Sequence, residues 1–396
     1  MNPGFTQTLQ QWLGSGECRR LASPDAAING TAERIVAGGV PLWRMSTTLV
    51  TMHPEIQSLE LVWHRGVGTT SRLLPHAIVE SRDFLGSPVE EVLRTRVPVR
   101  CRMEAGGELA RFPQLESLAA RGCTDYLAVP VELADGRHTA LTYATDAPGG
   151  FLPEHLAAME SIWPALVMRL DLGSLTYSLH SLLRVYLGQN ASNRVLRGGF
   201  KRGQGESITA AIWFCDLRGF TALSDSLPAA EVVALLDRYF EVVGGAVTAQ
   251  GGEILKFIGD AMLAVFPVRE SGPRGPCGRA LLAAEQALAA LDELARAPEN
   301  QGRAPLRAGI ALHLGDVMYG NIGARERLDF TIIGRSVNEA ARLESLCKDL
   351  GVPLLLSGTF ARAAGLTGGV SLGLHQLRGV RAPQEVFTLK AFAPVG

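Results

Sequence analysis

Residues 254–266 are ILKFIGDAMLAVF, two apolar runs on either side of a Gly-Asp pair. Apolar runs of strand length around such a pair are typical of a β-hairpin. The segment therefore predicts a strand, a tight turn and a second strand, with Asp260 at the tip. Taken alone, Asp260 is better interpreted as a turn residue, because Asp tolerates the backbone angles of turns.

A second acid follows another predicted strand. Residues 208–215 form an apolar run of strand length, and Asp216 comes directly after it, where the chain enters a loop. Two carboxylates at the ends of neighbouring strands suit hard cations such as magnesium. Paired metals of this kind bind the attacking and leaving oxygens of a phosphoryl transfer. The two acids predict a metal site, whereas structural acids would each cap a helix or close a turn.

Three segments resemble the signature segments of class III adenylyl cyclase catalytic domains. They are FCDLRGFT at 214–221, LKFIGD at 255–260 and FTIIGRSVNEAARL at 330–343, in the order that the family has them. Three long matches in order are far more specific than one short motif. The resemblance extends from about Ser207 to Lys390 and implies an α+β, ferredoxin-like catalytic domain.

The composition of the chain argues against several other classes of function. The 396 residues suffice for two or three domains, and the 38 basic and 39 acidic side chains nearly cancel, which argues against a nucleic-acid partner. The first residues resemble no secretion signal, and no apolar run has the length of a membrane span, so we expect a cytoplasmic protein. Six cysteines without paired spacing argue against disulfides or a zinc site and predict buried free thiols.

The pattern along the chain predicts a sensor, a helical linker and a catalyst. Residues 1–24 have no clear pattern, and residues 25–153 alternate helices with antiparallel strands in a way similar to GAF-type α+β sensor domains, although a PAS-like domain fits equally well. Residues 154–206 predict a helical linker, and residues 207–396 the cyclase domain. In the linker, apolar residues with coiled-coil spacing predict either a dimeric seam or a helix against its own domain: Leu172, Leu175, Leu179, Leu182 and Tyr186.

GAF-type domains commonly hold a small ligand on one face of the sheet. Trp43, His64 and Cys101 are candidates for lining such a pocket, and packing in the core is the competing interpretation. The signal that such a domain senses is not predicted by the sequence.

The resemblance also implies a role for each matched residue. Asp216 and Asp260 correspond to the acids that hold two magnesium or manganese ions, and Lys256 and Thr331 to the residues that bind adenine. The backbone that cradles the polyphosphate corresponds to Leu217, Arg218, Gly219, Phe220 and Thr221. Lys256 also interrupts an apolar strand, so its charge must reach solvent or a partner.

Asn338 and Arg342 are four residues apart on a predicted helix and therefore project from one face. The resemblance implies that they orient the ribose and stabilise charge on the transferring phosphorus, the work of an arginine finger. The alternative is that both are exposed residues of a surface helix without a catalytic role. Arg378 stands where the family has a phosphate-binding lysine, and Arg381 is the other candidate.

In these enzymes the metal-binding acids come from one subunit, whereas the base-binding Lys and Thr and the catalytic Asn and Arg come from the other. A chain with one complete set therefore predicts a homodimer with two equivalent sites that converts ATP to 3′,5′-cyclic AMP and pyrophosphate under control of the sensor. Three alternatives stay open. The first is a guanylyl cyclase, the second a nucleotide-binding regulatory module without turnover, and the third a dimerisation scaffold that serves the sensor.

Overall fold

A computed structural model describes residues 2, 4–21, 23–103, 108–297 and 305–394. The chain divides into two compact units, Met1–Val185 and Tyr186–Gly396. The boundary falls inside one long helix, so the linker predicted for residues 154–206 is divided between the two units. Residues 194–206 of this predicted helical linker include the end of one helix, at Leu196, and the start of a strand, at Gly205.

The first unit is built on an antiparallel sheet. Its helices are α1 (Phe5–Gly14), α2 (Gly16–Arg19), α3 (Pro24–Ala37), α4 (Pro88–Thr95), α5 (Glu108–Arg111), α6 (Glu116–Ala119) and most of α7 (Pro153–Leu187). Its strands are β1 (Arg44–Val50), β2 (Ile56–His64), β3 (Gly68–Pro75), β4 (Val99–Arg102), β5 (Asp125–Glu132) and β6 (His138–Thr145). Within the described residues the strand order is β3-β2-β1-β6-β5-β4.

Apolar residues pack on both faces of this sheet. On one face Met45 and Tyr143 join a core that includes Leu9 and Trp12 of α1, so α1 packs on this sheet. On the other face Cys101 is fully buried in a second, smaller core. The ring of Trp43 packs edge-on against that of His64, with centroids 5.7 Å apart.

The second unit packs helices on a mixed, mostly antiparallel sheet. Its helices are α8 (Gln189–Leu196), α9 (Phe220–Ser226), α10 (Ala229–Ala249), α11 (Arg274–Arg296), α12 (Arg335–Asp349) and α13 (Gly358–Ala364). Its strands are β7 (Gly205–Leu217), β8 (Glu253–Ile258), β9 (Ala261–Pro267), β10 (Ala308–Gly323), β11 (Leu328–Ile333), β12 (Leu354–Ser357), β13 (Gly369–His375) and β14 (Gln384–Leu389). Their order is β13-β14-β12-β10-β7-β9-β8 within the described part, and β11 pairs with β10.

The chain order β7-α10-β8-β9-α11-β10 with the sheet order β10-β7-β9-β8 is the ferredoxin-like arrangement that we predicted. Helices α10 and α11 share one apolar core with the sheet, whereas Ala191 of α8 and Ala340 of α12 belong to another. Because helices cover both faces, residues 261–266 of β9 are buried at every position. The mixed α+β class is confirmed.

Two further expectations concern the whole chain. No helix among the described residues combines the length and the apolar character needed to cross a membrane. All six cysteines are buried free thiols, as predicted.

Candidate active site

The hairpin predicted at residues 254–266 is present. Ile258 pairs with Ala261 across a two-residue turn formed by Gly259 and Asp260. Gly259 has a φ of +63°, a conformation that favours glycine and places it at the first central position of a type II′ turn. Asp260 therefore stands at the tip, held by the two strands on either side.

Asp216 and Asp260 lie side by side. Strand β7 pairs with β9 up to Cys215 and Met262, which carries the end of β7 to the tip of the hairpin. The two carboxyl groups are within hydrogen-bonding reach, and burial together with the neighbouring Asp260 raises the pKa of Asp216 to about 6. Two acids that repel each other at a half-buried position are a favourable site for a cation.

These two carboxylates fit a magnesium ion, since that ion prefers oxygen ligands and is usually bound through one or two carboxylates plus phosphates and water. No group of three or more His, Cys, Asp or Glu residues in the described part of the chain is arranged to hold a metal. The remaining ligands would have to come from the substrate and from water.

A third acid, not found by sequence reasoning, stands next to this pair. Glu344 on α12 is buried, and its Oε1 lies 3.0 Å from Nη2 of Arg218, without the geometry of a hydrogen bond. Burial raises the pKa of Glu344 to about 7, opposed by the charge of Arg218 and reinforced by Asp216 and Asp260. The sequence offers no signal for this contact, because 126 residues separate its partners.

Gly309 makes room for the Arg218 side chain. It pairs with Asp216 in the β7–β10 ladder, and a Cβ atom added to it would lie 1.7 Å from Nη2 of Arg218 and 2.6 Å from Oε1 of Glu344. The guanidinium thus occupies the space that a side chain at position 309 would fill. Arg218 points toward Glu344, so its side chain is not directed to a phosphate in this structure.

The loop after β7 offers backbone donors, although fewer than predicted. The N–H of Arg218 donates to the carbonyl of Arg307 at 2.7 Å and is therefore not free. Within the described residues, the N–H groups of Gly219, Phe220 and Thr221 make no backbone hydrogen bond, as expected at the first turn of α9. Gly219 has a φ of +75°, which turns the chain from strand into helix. We therefore restrict the predicted phosphate cradle to these three residues.

A β-bulge in β8 decides which way Lys256 points. Ile254 pairs with Ala264 and Lys256 with Leu263, so Leu255 is the extra residue. Strict alternation would have put Lys256 on the same face as Ile254, toward α10. The bulge instead sends it to the opposite face, where its Nζ lies 3.4 Å from Oδ2 of Asp329 on β11.

Thr331 lies two residues after Asp329 on β11 and so shares its face. Its side chain is buried, and its Oγ1 has no hydrogen-bond partner in the described structure. A buried hydroxyl without a partner is uncommon and indicates a missing ligand or water. The structure therefore brings Lys256 and the strand of Thr331 together, as the predicted base-binding role requires.

Helix α12 has two faces with different surroundings. Glu344 and Glu339 are buried, whereas Asn338 and Arg342 are exposed. Among the described residues, neither Asn338 nor Arg342 has a hydrogen bond or ion pair, and neither contacts Asp216 in that way.

Glu339 and Arg335 form a local cluster at the start of α12. Oε1 of Glu339 accepts a hydrogen bond from Arg335 Nε at 2.6 Å, and its Oε2 lies 3.3 Å from Nε2 of His313. Burial lowers the pKa of His313. These residues stabilise the start of α12 against β10.

Arg378 and Arg381 lie on the loop between β13 and β14. Leu377 and Val380 are buried and anchor this loop, whereas both arginines are exposed.

Comparisons with known proteins agree with this geometry. Residues 204–359 match the family model described as the adenylate and guanylate cyclase catalytic domain. An uncharacterized protein of Mycobacterium tuberculosis is 40% identical over 188 residues, which are 46% of this chain and 32% of that protein. A protein of Anabaena cylindrica named adenylate cyclase is 34% identical over 161 residues, 40% of this chain and 32% of that protein.

The solved structures include a bacterial light-regulated adenylyl cyclase that shares the fold. It matches with a TM-score of 0.51 at 23% identity, over 68% of this chain and 87% of the other. The chain spans about a third of the length of the two curated relatives.

Proposed function

Because residues 204–359 belong to the adenylate and guanylate cyclase catalytic domain family, we propose that this chain converts ATP to 3′,5′-cyclic AMP and pyrophosphate. The observation that carries the proposal is the meeting of Asp216 and Asp260 beside a loop with free N–H groups. Two acids and a set of backbone donors at one place suit a metal-bound triphosphate. The relative from Anabaena cylindrica, named adenylate cyclase, supports the same activity.

Each group then has one task. Asp216 and Asp260 hold two magnesium or manganese ions, which supply charge neutralisation for an in-line displacement when bound. The N–H groups of Gly219, Phe220 and Thr221 bind the polyphosphate, with Arg378 or Arg381 as a further cation. The ribose 3′-oxygen attacks the α-phosphorus, and pyrophosphate leaves.

We favour ATP over GTP because of Lys256 and Thr331. The ammonium group of Lys256 is a donor for a ring nitrogen of adenine, and the free hydroxyl of Thr331 can accept a hydrogen bond from its amino group. Asp329, the present partner of Lys256, keeps the ammonium group on this face of β11.

We propose a homodimer, because Asn338 and Arg342 are exposed on the face of α12 opposite Glu344. Each helix α12 would then support the site of its own subunit through Glu344 and complete that of its partner through Asn338 and Arg342. Exposed apolar residues near the hairpin and on β11 suit such an interface: Phe257, Ile258 and Ile333.

The regulatory part of the proposal concerns the first unit. Leu172, Leu175 and Leu179 of α7 are exposed, as expected for a helix that pairs with a second copy. We propose that the first unit controls the cyclase by changing how these helices pair, because subunit placement decides whether a shared site closes. Its GAF-like identity and the cytoplasmic location stay predictions.

The experiment is turnover of the purified chain with ATP or GTP and magnesium, compared with the Asp260→Asn variant. We expect ATP turnover to exceed GTP turnover and to fall on the order of 100-fold or more in the variant, since the substitution removes one metal-binding charge. Asp237→Asn, an exposed acid on α10, is the matched control and should keep the activity. Preference for GTP, or nucleotide binding without turnover, would overturn the proposal in favour of the corresponding alternative.

A further inference from the structure

The first unit encloses a cavity of about 500 Å³ on one face of its sheet. Strands β1, β2, β5 and β6 form its floor, and α4, α6 and the short helical turns at His76–Glu80 and Pro113–Leu115 cover it. The three residues that we considered from sequence as pocket candidates, Trp43, His64 and Cys101, do not line it. A cavity of this size is typical of sites for small organic ligands.

The floor of this cavity is polar where a covered sheet is normally apolar. Along β1, Arg44, Ser46 and Thr48 alternate toward the cavity, whereas Met45 and Leu49 point into the apolar core on the other face. A sheet face that only packed against its cover would bury apolar side chains there. The alternation therefore indicates a face that binds something polar.

Arg44 is the charge at the centre of this floor. Its Nη1 donates to Ser46 Oγ at 3.0 Å and lies 3.4 Å from Thr142 Oγ1, and the two hydroxyls are 2.7 Å apart. Burial lowers the pKa of Arg44. Among the described residues no carboxylate lies within ion-pair distance of it, because the nearby Glu60 is already paired with Arg72 at 3.0 Å.

The cover supplies most of the apolar lining. Ile78, Phe84, Val89, Leu93, Leu115 and Leu118 line the cavity from that side, together with the polar residues Asp83, Ser87, Gln114 and Ser117. A ligand in this space would thus meet a cation and hydroxyl groups at one end and apolar side chains at the other. Arg72 and Glu60 also line the cavity but pair with each other, so the unpaired guanidinium of Arg44 balances one negative charge. A second negative charge on the ligand would have no such partner and would share the cavity with the carboxylates of Glu60 and Asp83.

We propose that this cavity binds a small organic monocarboxylate, with its carboxylate on Arg44, Ser46 and Thr142 and its apolar body under the cover. The inference depends only on the first unit and not on the cyclase activity proposed above. It assigns a chemical class to the signal of the sensor, which the sequence did not predict.

The test is isothermal titration of the full chain with phenylacetate and 4-phenylbutyrate, each compared with its neutral primary amide. A hydrogen-bonded charge pair contributes enough for the acid to bind on the order of tenfold to a hundredfold more tightly than the amide. Arg44→Gln should remove this preference and leave the weak binding of the amide unchanged. Arg44→Lys, which keeps the charge, should retain part of it.

Arg65→Gln is the matched control, because Arg65 pairs with Asp146 and does not line the cavity. Thermal unfolding checks that each variant is folded. If Arg44→Gln does not fold, the Ser46→Ala variant is used, and it should weaken binding of the acid alone. The proposal is overturned if neither acid binds more tightly than its amide, if the preference survives in the folded Arg44→Gln variant, or if it is undiminished in Ser46→Ala.

Discussion

Replacing Gly309 by alanine tests the contact between Arg218 and Glu344. The new Cβ would lie 1.7 Å from Nη2 and 2.3 Å from Cζ of Arg218, so the guanidinium must leave its place. No backbone strain is involved, because Gly309 does not have a positive φ. The substitution therefore perturbs the ion pair and the packing around it.

The magnitude follows from what is lost. Breaking a buried ion pair destabilises a protein by about 3–5 kcal/mol. Here the loss is smaller, because the Arg218 side chain is 25% exposed and Glu344, with a pKa of about 7, can take up a proton. We expect the free energy of unfolding to fall by about 1–3 kcal/mol and the thermal midpoint of this unit by roughly 3–10 °C.

The assay is thermal unfolding of the full chain together with ATP turnover. Gly245→Ala is the matched control: Gly245 is exposed on α10, a Cβ there meets nothing within 4 Å, and alanine favours a helix. Adding Gly309→Ala to the Arg218→Ala variant should cost less stability than Gly309→Ala costs in the unsubstituted chain, since the clash with the arginine disappears and only the contact with Glu344 Oε1 at 2.6 Å remains. An unchanged midpoint and activity in Gly309→Ala, or simple additivity in the double variant, would refute the reasoning.

Two further predictions concern the surroundings of the site. Lys256→Ala should raise the KM for ATP by on the order of tenfold, whereas Asp329→Asn should change it less than about fivefold, because an exposed ion pair contributes at most about 1 kcal/mol. Steady-state kinetics measure both KM values. A larger change in Asp329→Asn than in Lys256→Ala would contradict the base-binding role of Lys256. His313 has a lowered pKa in the folded state, so the unfolded chain takes up its proton first as the pH falls through the ordinary value of about 6.5. The free energy of unfolding, measured with urea, should therefore drop less between pH 7.5 and 5.5 in His313→Gln than in the unsubstituted chain. The same pH dependence in both chains would argue against a neutral buried His313.

The parts of the site that depend on neighbouring residues in sequence were predicted correctly. The hairpin at 254–266 and the strand before Asp216 follow from apolar runs and a Gly-Asp turn. Their meeting in space was expected from the strand ends and from the resemblance to known cyclases. The helical spacing of Asn338 and Arg342 likewise follows from local pattern.

The remaining features depend on distant contacts. The direction of Lys256 is set by a bulge that no residue type in β8 announces. The partner of Glu344 is known only once α12 lies against β7 and β10. Strand β10 continues as far as Gly323. It can do so because Gly320 has no side chain and the start of β7 approaches it closely. A Cβ atom at position 320 would lie 2.2 Å from the carbonyl oxygen of Gln204.

The polar floor of the cavity in the first unit also depends on distant contacts. The alternation of Arg44, Ser46 and Thr48 resembles the solvent-facing side of an exposed strand. Only the cover formed by α4 and α6 turns that polar face into the wall of a cavity.

The central claim is that two copies of this chain share each active site, with Asp216 and Asp260 from one and Asn338 and Arg342 from the other. Co-expression of the Asp260→Asn and Arg342→Ala chains tests it most directly. Each variant alone should be inactive, whereas random pairing yields heterodimers with one intact site and about a quarter of the full activity. Co-expressed chains that are no more active than either variant alone would contradict the shared site.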